Sequence, residues 1–307
     1  MNAVDVVAET FPDRTVRDVT PVEHGNNKQT SLVTLDDRTV VVQLSAEPAA
    51  FRTEITLARA VRERTTVPTP AVLATGTFDG GRYAVIERAH GDDLHVRFTD
   101  LSLDERAEIA RSFGRWLAAC HETFRFERYG DVSLRDGELI ASAPAWRPWF
   151  EEYLTAGLAA LPASLADLRE PIRAALADAE LGARPPSRLY PWDLRPGNAI
   201  YADDEGVTAV LDWGEPLAAA PALSVAKTEH LLCSWYGDRE PLQAAFRDGY
   251  ATVRALPEPP RIYRLAAVVR SAVDAAGAVT RPGYPERTGD AAVAFHRDRL
   301  TGLLGGE

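Results

Sequence analysis

Lysine is nearly absent from this chain. Of 34 basic residues in 307, only Lys28 and Lys227 are lysines, and the rest are arginines. Against 45 acidic residues the net charge is −11. Such a balance does not suit a nucleic-acid backbone or an anionic membrane, so neither is expected as a partner. It leaves room for an anionic nucleotide at a local site with its own cations. The lysine shortage has two readings, a salt-rich cytosol or the codon bias of a GC-rich genome. Cysteine is scarce too. Cys120 and Cys233 lie far apart and form no C-x-x-C pair, so two core thiols in a reducing compartment are expected. No apolar run approaches the length of a membrane span, and "MNAVDVVAETFPD" has no basic region ahead of an apolar stretch. A cytoplasmic protein is expected.

A hydrophobic content of 46% with six Trp excludes a disordered chain. The length allows one large domain or two lobes. The first ninety residues read mostly as strands with one helix. "TVRDVTPVE", "TSLVTLDD" and "RTVVVQLS" are three short β-rich runs separated by polar turns, the pattern of an antiparallel meander. Pro48 opens a helix with Phe51, Ile55, Leu57, Ala58 and Val61 at helical spacing. "FDGGRYAVIER" reads as a hairpin around Gly80-Gly81. The polar connector "AHGDD" follows. Ser102 and Glu105 then form a capping-box pattern ahead of a long helix. Helical segments continue until "NAIYADDEGVTAVLDW", read as the one hairpin of this half. The expected architecture is α+β, with a β-rich lobe over residues 1–90, a mainly helical lobe over residues 91–307, and a hinge near residues 88–93.

The chemistry gathers at "LYPWDLRPGNAIY" (189–201) and "LDWGEP". Asn198 precedes the first arm of the hairpin and Asp212 ends the second, so the two side chains can converge. A carboxylate with an amide oxygen is a hard ligand set suited to Mg²⁺. Asp193, before the turn, would stand beside them as a base for a hydroxyl. Arg195 is set to meet phosphate charge. Taken alone, Asp, Pro, Gly and Asn are also ordinary turn residues.

The order D-x-x-x-x-N, hairpin, D resembles the catalytic and metal-binding loops of protein-kinase-like phosphotransferases. "DLRPGNAIY…VLDWGEP" is most similar to the aminoglycoside phosphotransferase family, with its H-G-D-L-x-P-G-N and I-D-W-E-like segments. The hinge "VIERAHGDDL" and the helix "FGRWLAACHETFRFERYG" extend the resemblance over nearly the whole chain. It implies a two-lobe, kinase-like fold that transfers the γ-phosphoryl group of ATP or GTP, with Mg²⁺, to a hydroxyl of a small molecule. It further implies Asp193 as the catalytic Asp, Asn198 and Asp212 as Mg²⁺ ligands, and Glu54 as the helix carboxylate that pairs with a strand lysine. Glu87, at the hinge, joins the nucleotide-binding group.

Three departures stand out. The family's His and Gly before the catalytic Asp are Pro191 and Trp192. Pro191 would stiffen the loop by fixing φ. Trp192 would fill space, or else shape the acceptor pocket. The strand lysine is Gln43, which brings no charge. Glu54 is then expected to bond Gln43 or to turn to Arg52 or Arg59, with Lys28 or Arg195 supplying positive charge to the phosphates. Lys28 has an equally plain reading as a solvated turn lysine. The acceptor is expected to be aminoglycoside-like, an amino alcohol or a sugar, and Glu215 is a candidate contact for an amine-bearing one. The histidines show no metal-ligand spacing, and residues 280–290 read as a connector. The competing readings are a non-catalytic nucleotide-binding regulatory protein, for which Gln43 and Pro191 speak, and nucleotidyl transfer on the same fold.

Overall fold

The computed structural model describes residues 2–22, 28–78, 80–274, 276–281 and 283–306. Helix α1 (Ala3–Thr10) is followed by strands β1 (Val16–Val22), β2 (Gln29–Leu35) and β3 (Thr39–Ser45), helix α2 (Pro48–Arg64), and strands β4 (Val72–Phe78) and β5 (Gly81–Glu87). The strands form one antiparallel sheet in the order β1-β2-β3-β5-β4. The meander and the second hairpin match the sequence reading. The turn "HGNNKQ" falls largely on residues 23–27, outside the described residues, as do His24 and Gly25. Helix α1 is an addition to that reading. Asn2 caps it, its side chain accepting from Val4 and Asp5 N–H, and Asp5 returns a bond to the Asn2 N–H. That reciprocal box holds a helix too short to stand on propensity alone.

The two faces of the sheet have different tasks. Val40, Val42 and Leu44 of β3 point to one face, where they pack with Val6 and Val7 of α1. On the other face Ala84 packs with Phe51 and Ile55 of α2. Since Gln43 pairs with Ala84 and Thr30 pairs with Gln43, all three share the α2 face. Lys28, two residues before Thr30, continues that alternation. Thr53 of α2 accepts a hydrogen bond from the Leu134 N–H at 3.0 Å, which ties this helix to the rest of the chain.

Residues 88–91 lead to β6 (Asp92–Asp93), α3 (Leu94–Arg97) and α4 (Leu103–Thr123). Gly91 has φ +115°, and a Cβ there would lie 2.3 Å from the Tyr201 carbonyl oxygen, so only glycine fits this approach. The predicted capping box on α4 is present, Ser102 with Glu105. The chain continues through β7 (Arg125–Phe126), β8 (Tyr129–Arg135), β9 (Glu138–Ala143), α5 (Trp146–Ala160) and α6 (Arg169–Ala177). It then runs through β10 (Ser187–Tyr190), β11 (Ala199–Ala202), β12 (Gly206–Val210) and β13 (Leu217–Ala219). The last elements are α7 (Pro221–Glu229), α8 (Arg239–Ala251), α9 (Arg261–Val269), β14 (Thr280–Arg281), β15 (Arg287–Thr288) and α10 (Gly289–Gly305).

The expectation of a single hairpin among the helices is corrected. β11 and β12 form the expected one, but β8 and β9 form another, and β7, β10, β13, β8 and β9 make a five-stranded sheet. Within the expected connector 280–290, Thr280–Arg281 pairs with Arg287–Thr288 as a short β14–β15 ladder, and α10 begins at Gly289. Helix α7 is the axis of this half. Leu223 to Glu229 are all buried, and His121 of α4 holds Ser224 on α7 and the Tyr250 hydroxyl on α8, each at 2.7 Å. Trp146, Trp213, Trp235 and Tyr236 are buried in the core. No helix among the described residues is long and apolar enough to cross a membrane.

Candidate active site

The segment between β10 and β11 carries the polar motif. Pro191 and Leu194 are buried, and Pro196–Asn198 make one 3₁₀ turn. The Asn198 Nδ2 donates to the Asp193 carbonyl oxygen at 2.9 Å, which locks the loop on itself and leaves the amide oxygen of Asn198 to face outward bonding. Leu211 N–H donates to the Asn198 carbonyl at 2.7 Å. Because β11 and β12 pair Ala199 with Val210, this closing bond brings Asp212 beside Asn198. Asp212 has φ +58° and a side chain 55% exposed, a left-handed backbone held open for a partner. Asp193, Asn198 and Asp212 are therefore gathered at one end of the β11–β12 hairpin.

Lys28 reaches this place from the other half of the chain. Its Nζ lies 2.5 Å from Glu54 Oε1 and 3.5 Å from Asp212 Oδ1. Burial works against its charge, but the carboxylates of Glu54 and Asp212 outweigh burial and raise its pKa. The expected partners of Glu54 are thus corrected: not Gln43, Arg52 or Arg59, but Lys28. Gln43 has its Oε1 buried with no partner. Lys28, just ahead of β2, stands on the same face as Gln43 of β3, beside Glu54. The plain reading of Lys28 as a solvated turn residue does not hold.

Around Asp193 the charge is positive. Arg195 Nε lies 3.4 Å from Asp193 Oδ2, and Lys227 Nζ lies 3.7 Å from its Oδ1. Arg195 also stacks over Trp235 at 5.6 Å. Lys227, at 2% exposure, sits 3.4 Å from the centroid of the Trp192 ring. Its pKa is lowered to about 8: burial pulls it down most, Asp193 pulls it back up, and Arg270 and Arg195 push it down. Trp192 packs against Tyr153 and Tyr190, so it does fill space, and it also carries two cations, Lys227 and Arg270. Sequence reasoning missed Lys227 and Arg270. No signal marked Lys227: in "LSVAKTE" Ser224, Lys227 and Thr228 recur at helical spacing and read as an ordinary polar face.

Other candidates lie apart. Glu87 Oε2 accepts from the Ala71 N–H at 3.3 Å and lines a cavity of about 960 Å³. That cavity, bounded by β3, the 88–92 connector and the β11–β12 turn, is not lined by Asp193, Asn198 or Asp212. Glu215 is exposed, with φ +49°. His121, His230 and His296 are buried; His90 meets Asp204 and Glu205, all three exposed.

The Asp193–Asn198 loop and an Asp-bearing hairpin, facing a lysine–glutamate pair on a five-stranded sheet and its helix, are the arrangement of the kinase-like phosphotransferase fold. The phosphotransferase enzyme family model, that of the aminoglycoside phosphotransferases, matches residues 18–265, and the chain belongs to this family. No curated protein sequence matches it. Among solved structures, a thermostable mutant of aminoglycoside phosphotransferase APH(4)-Ia in its apo form is similar, with TM-score 0.66 at 18% identity over 98% of each chain. A ternary complex of such a mutant with AMP-PNP and hygromycin B gives 0.67 at 17%, covering 99% of this chain and 98% of that one. A putative fructosamine-3-kinase from Haemophilus somnus 129PT gives 0.61 at 17%, covering 98% of this chain and 96% of that one. At these identities the likeness concerns the fold.

Proposed function

We propose that this chain is a Mg²⁺-dependent kinase that moves the γ-phosphoryl group of ATP or GTP to a hydroxyl of a small molecule. Residues 1–90 act as the nucleotide-binding lobe and residues 91–307 as the catalytic and acceptor lobe. The observation that carries this is the meeting of the Lys28–Glu54 pair with Asp212, next to the Asn198–Asp193 loop. A neighbour solved with AMP-PNP and hygromycin B, and a putative fructosamine-3-kinase, support the same class of reaction.

Asp212 and the free amide oxygen of Asn198 fit a hard divalent cation, and Asp212 already draws the Lys28 ammonium. When bound there, Mg²⁺ supplies charge neutralisation on the phosphate oxygens. Lys28, held by Glu54, meets the α- and β-phosphates. Arg195 meets the charge of the phosphoryl group in transit. Asp193 orients the acceptor hydroxyl and takes its proton as the new P–O bond forms and the bond to the nucleoside diphosphate breaks. With Lys28 beside Glu54, the loss of the strand lysine no longer argues for a non-catalytic protein.

The test mixes the protein with γ-labelled ATP and Mg²⁺ over an acceptor panel and follows the label. Label is expected on an acceptor. Asp193→Ala should cut turnover by roughly 10²–10⁴-fold while nucleotide binding stays intact. Near-normal turnover in Asp193→Ala would reduce the residue to a turn former. Asp212→Asn should weaken Mg²⁺-dependent nucleotide binding in calorimetry, and unchanged affinity would remove Asp212 from the site.

A further inference from the structure

The acceptor side of the site carries more positive charge than the kinase reading, on which this inference rests, has use for. Among the described residues, Asp193 is the one carboxylate within ion-pair distance of Lys227, while Arg270 and Arg195 both repel it. Arg195 has an answer in that reading, the phosphoryl group in transit. Arg270 has none. Its guanidinium lies 4.7 Å from the Tyr153 ring centroid and 5.1 Å from that of Trp192. No carboxylate is within ion-pair distance of it among the described residues, and its buried Nε has no hydrogen-bond partner. Like charges held this close in a partly buried place are unfavourable until an anion answers them.

Trp192 gives the arrangement its shape. It stands where the family motif has glycine, and its ring supports both Lys227 and Arg270 by cation–π contact. Through Lys227 these cations adjoin Asp193, where the reacting hydroxyl must lie. An amine-bearing acceptor would meet like charge here.

We propose that the acceptor is an alcohol that also carries an anionic group, a carboxylate or a phosphate, and that Arg270 together with Lys227 binds that group while the hydroxyl lies at Asp193. Arg270 is thereby the residue that sets acceptor specificity, and Trp192 its support. The amine-bearing acceptor that Glu215 suggested is set aside by this proposal.

The test uses matched sets of small polyols that differ in one substituent: carboxylate, phosphate, none, or ammonium. Each is assayed with MgATP by product mass and by nucleoside diphosphate release. The anionic members should exceed the neutral ones in kcat/KM by about tenfold or more, the worth of one charge-assisted contact. The carboxylate and phosphate arms decide which anion is read. Arg270→Met should raise KM for the anionic members selectively, and Arg270→Lys should restore part of the loss. A preference for ammonium members, or an Arg270→Met effect equal across all members, would overturn the proposal and leave the kinase reading standing. Failure of every member, with no label transferred, would overturn both.

A second readout needs no turnover. Lysine labelled with ¹³C gives two ε-carbon signals in this chain, assigned by Lys28→Met. The Lys227 signal should titrate at about 8. The groups that share its surroundings are Asp193, Arg195, Arg270 and His230. An anionic acceptor should move that midpoint up and an amine should not; no movement with a bound anion contradicts the site.

Discussion

The two lysines of this chain each stand beside a carboxylate of the site, and each was legible to a different degree. Lys28 could be suspected, because Gln43 left a charge missing and the first turn covers the phosphates in kinase-like folds. Its partner could not be read, since the choice between Gln43, Arg52, Arg59 and Lys28 is made by the pairing of β2 with β3. Lys227 was invisible for a related reason. It lies thirty-four positions after Asp193, and only the packing of α7 against the β10 end of the Asp193 loop brings the two together. Its burial has a consequence for stability. An ammonium taken out of water is costly, and a thioether of similar length is not. Lys227→Met should therefore melt no lower than the unchanged protein while turnover falls by about tenfold or more. A variant that melts well below the parent, with activity falling only in proportion to the unfolded fraction, would assign Lys227 a structural role.

Among the elements, those with strong local signals were readable and those made by distant pairing were not. The meander, α2, the α4 capping box and the β11–β12 hairpin have their turn and cap residues in sequence. The sheet that joins β7, β10, β13, β8 and β9 does not, because its strands are two to seven residues long and pair across the chain. Helix α7 is fixed in the same non-local way. At its C-terminal end Glu229, buried, accepts from Arg247 of α8 at 2.7 Å and faces Arg264 of α9 at 3.4 Å. Without Glu229, the partly buried Arg247 and Arg264 keep only the exposed Glu258 as a partner. Glu229→Ala should lower the unfolding free energy by about 1–3 kcal/mol, measured by urea denaturation. Since α7 also carries Lys227, the same change should reduce turnover. Stability within about 1 kcal/mol of the parent would mean that the cluster contributes no more than a surface pair.

For the whole molecule, three buried histidines on α4, on the turn after α7 and on α10 set the acid limit. Burial lowers the pKa of His121, His230 and His296 from 6.5, so the folded chain keeps them neutral. Unfolded, they titrate at their ordinary value. Below 6.5 the unfolded state binds protons that the folded state refuses, so this contribution to stability is present above that pH and is lost as pH falls. Each histidine adds a slope of about 1.4 kcal/mol per pH unit. Melting temperature should drop between about pH 7 and about pH 5; a flat profile would contradict the neutral assignment.

In the proposed function the nucleotide would join both halves of the molecule, because Lys28 and Glu54 come from the sheet and its helix, while Asp193, Asn198 and Asp212 come from the loop after β10 and the β11–β12 hairpin. The claim that holds this account together is that Lys28 replaces the missing cation at Gln43. Titration calorimetry of MgATP into four proteins tests it: the unchanged chain, Lys28→Ala, Gln43→Ala, and Lys28→Ala combined with Gln43→Lys. Loss of a charge-assisted phosphate contact is worth about 1.5–3 kcal/mol, so Lys28→Ala should weaken binding by roughly 10–100-fold. Gln43→Ala should change it little, and the double variant should recover most of the loss, because residues 28 and 43 share one face beside Glu54. Silent Lys28→Ala with a crippling Gln43→Ala, or a double variant no better than Lys28→Ala, would contradict the account.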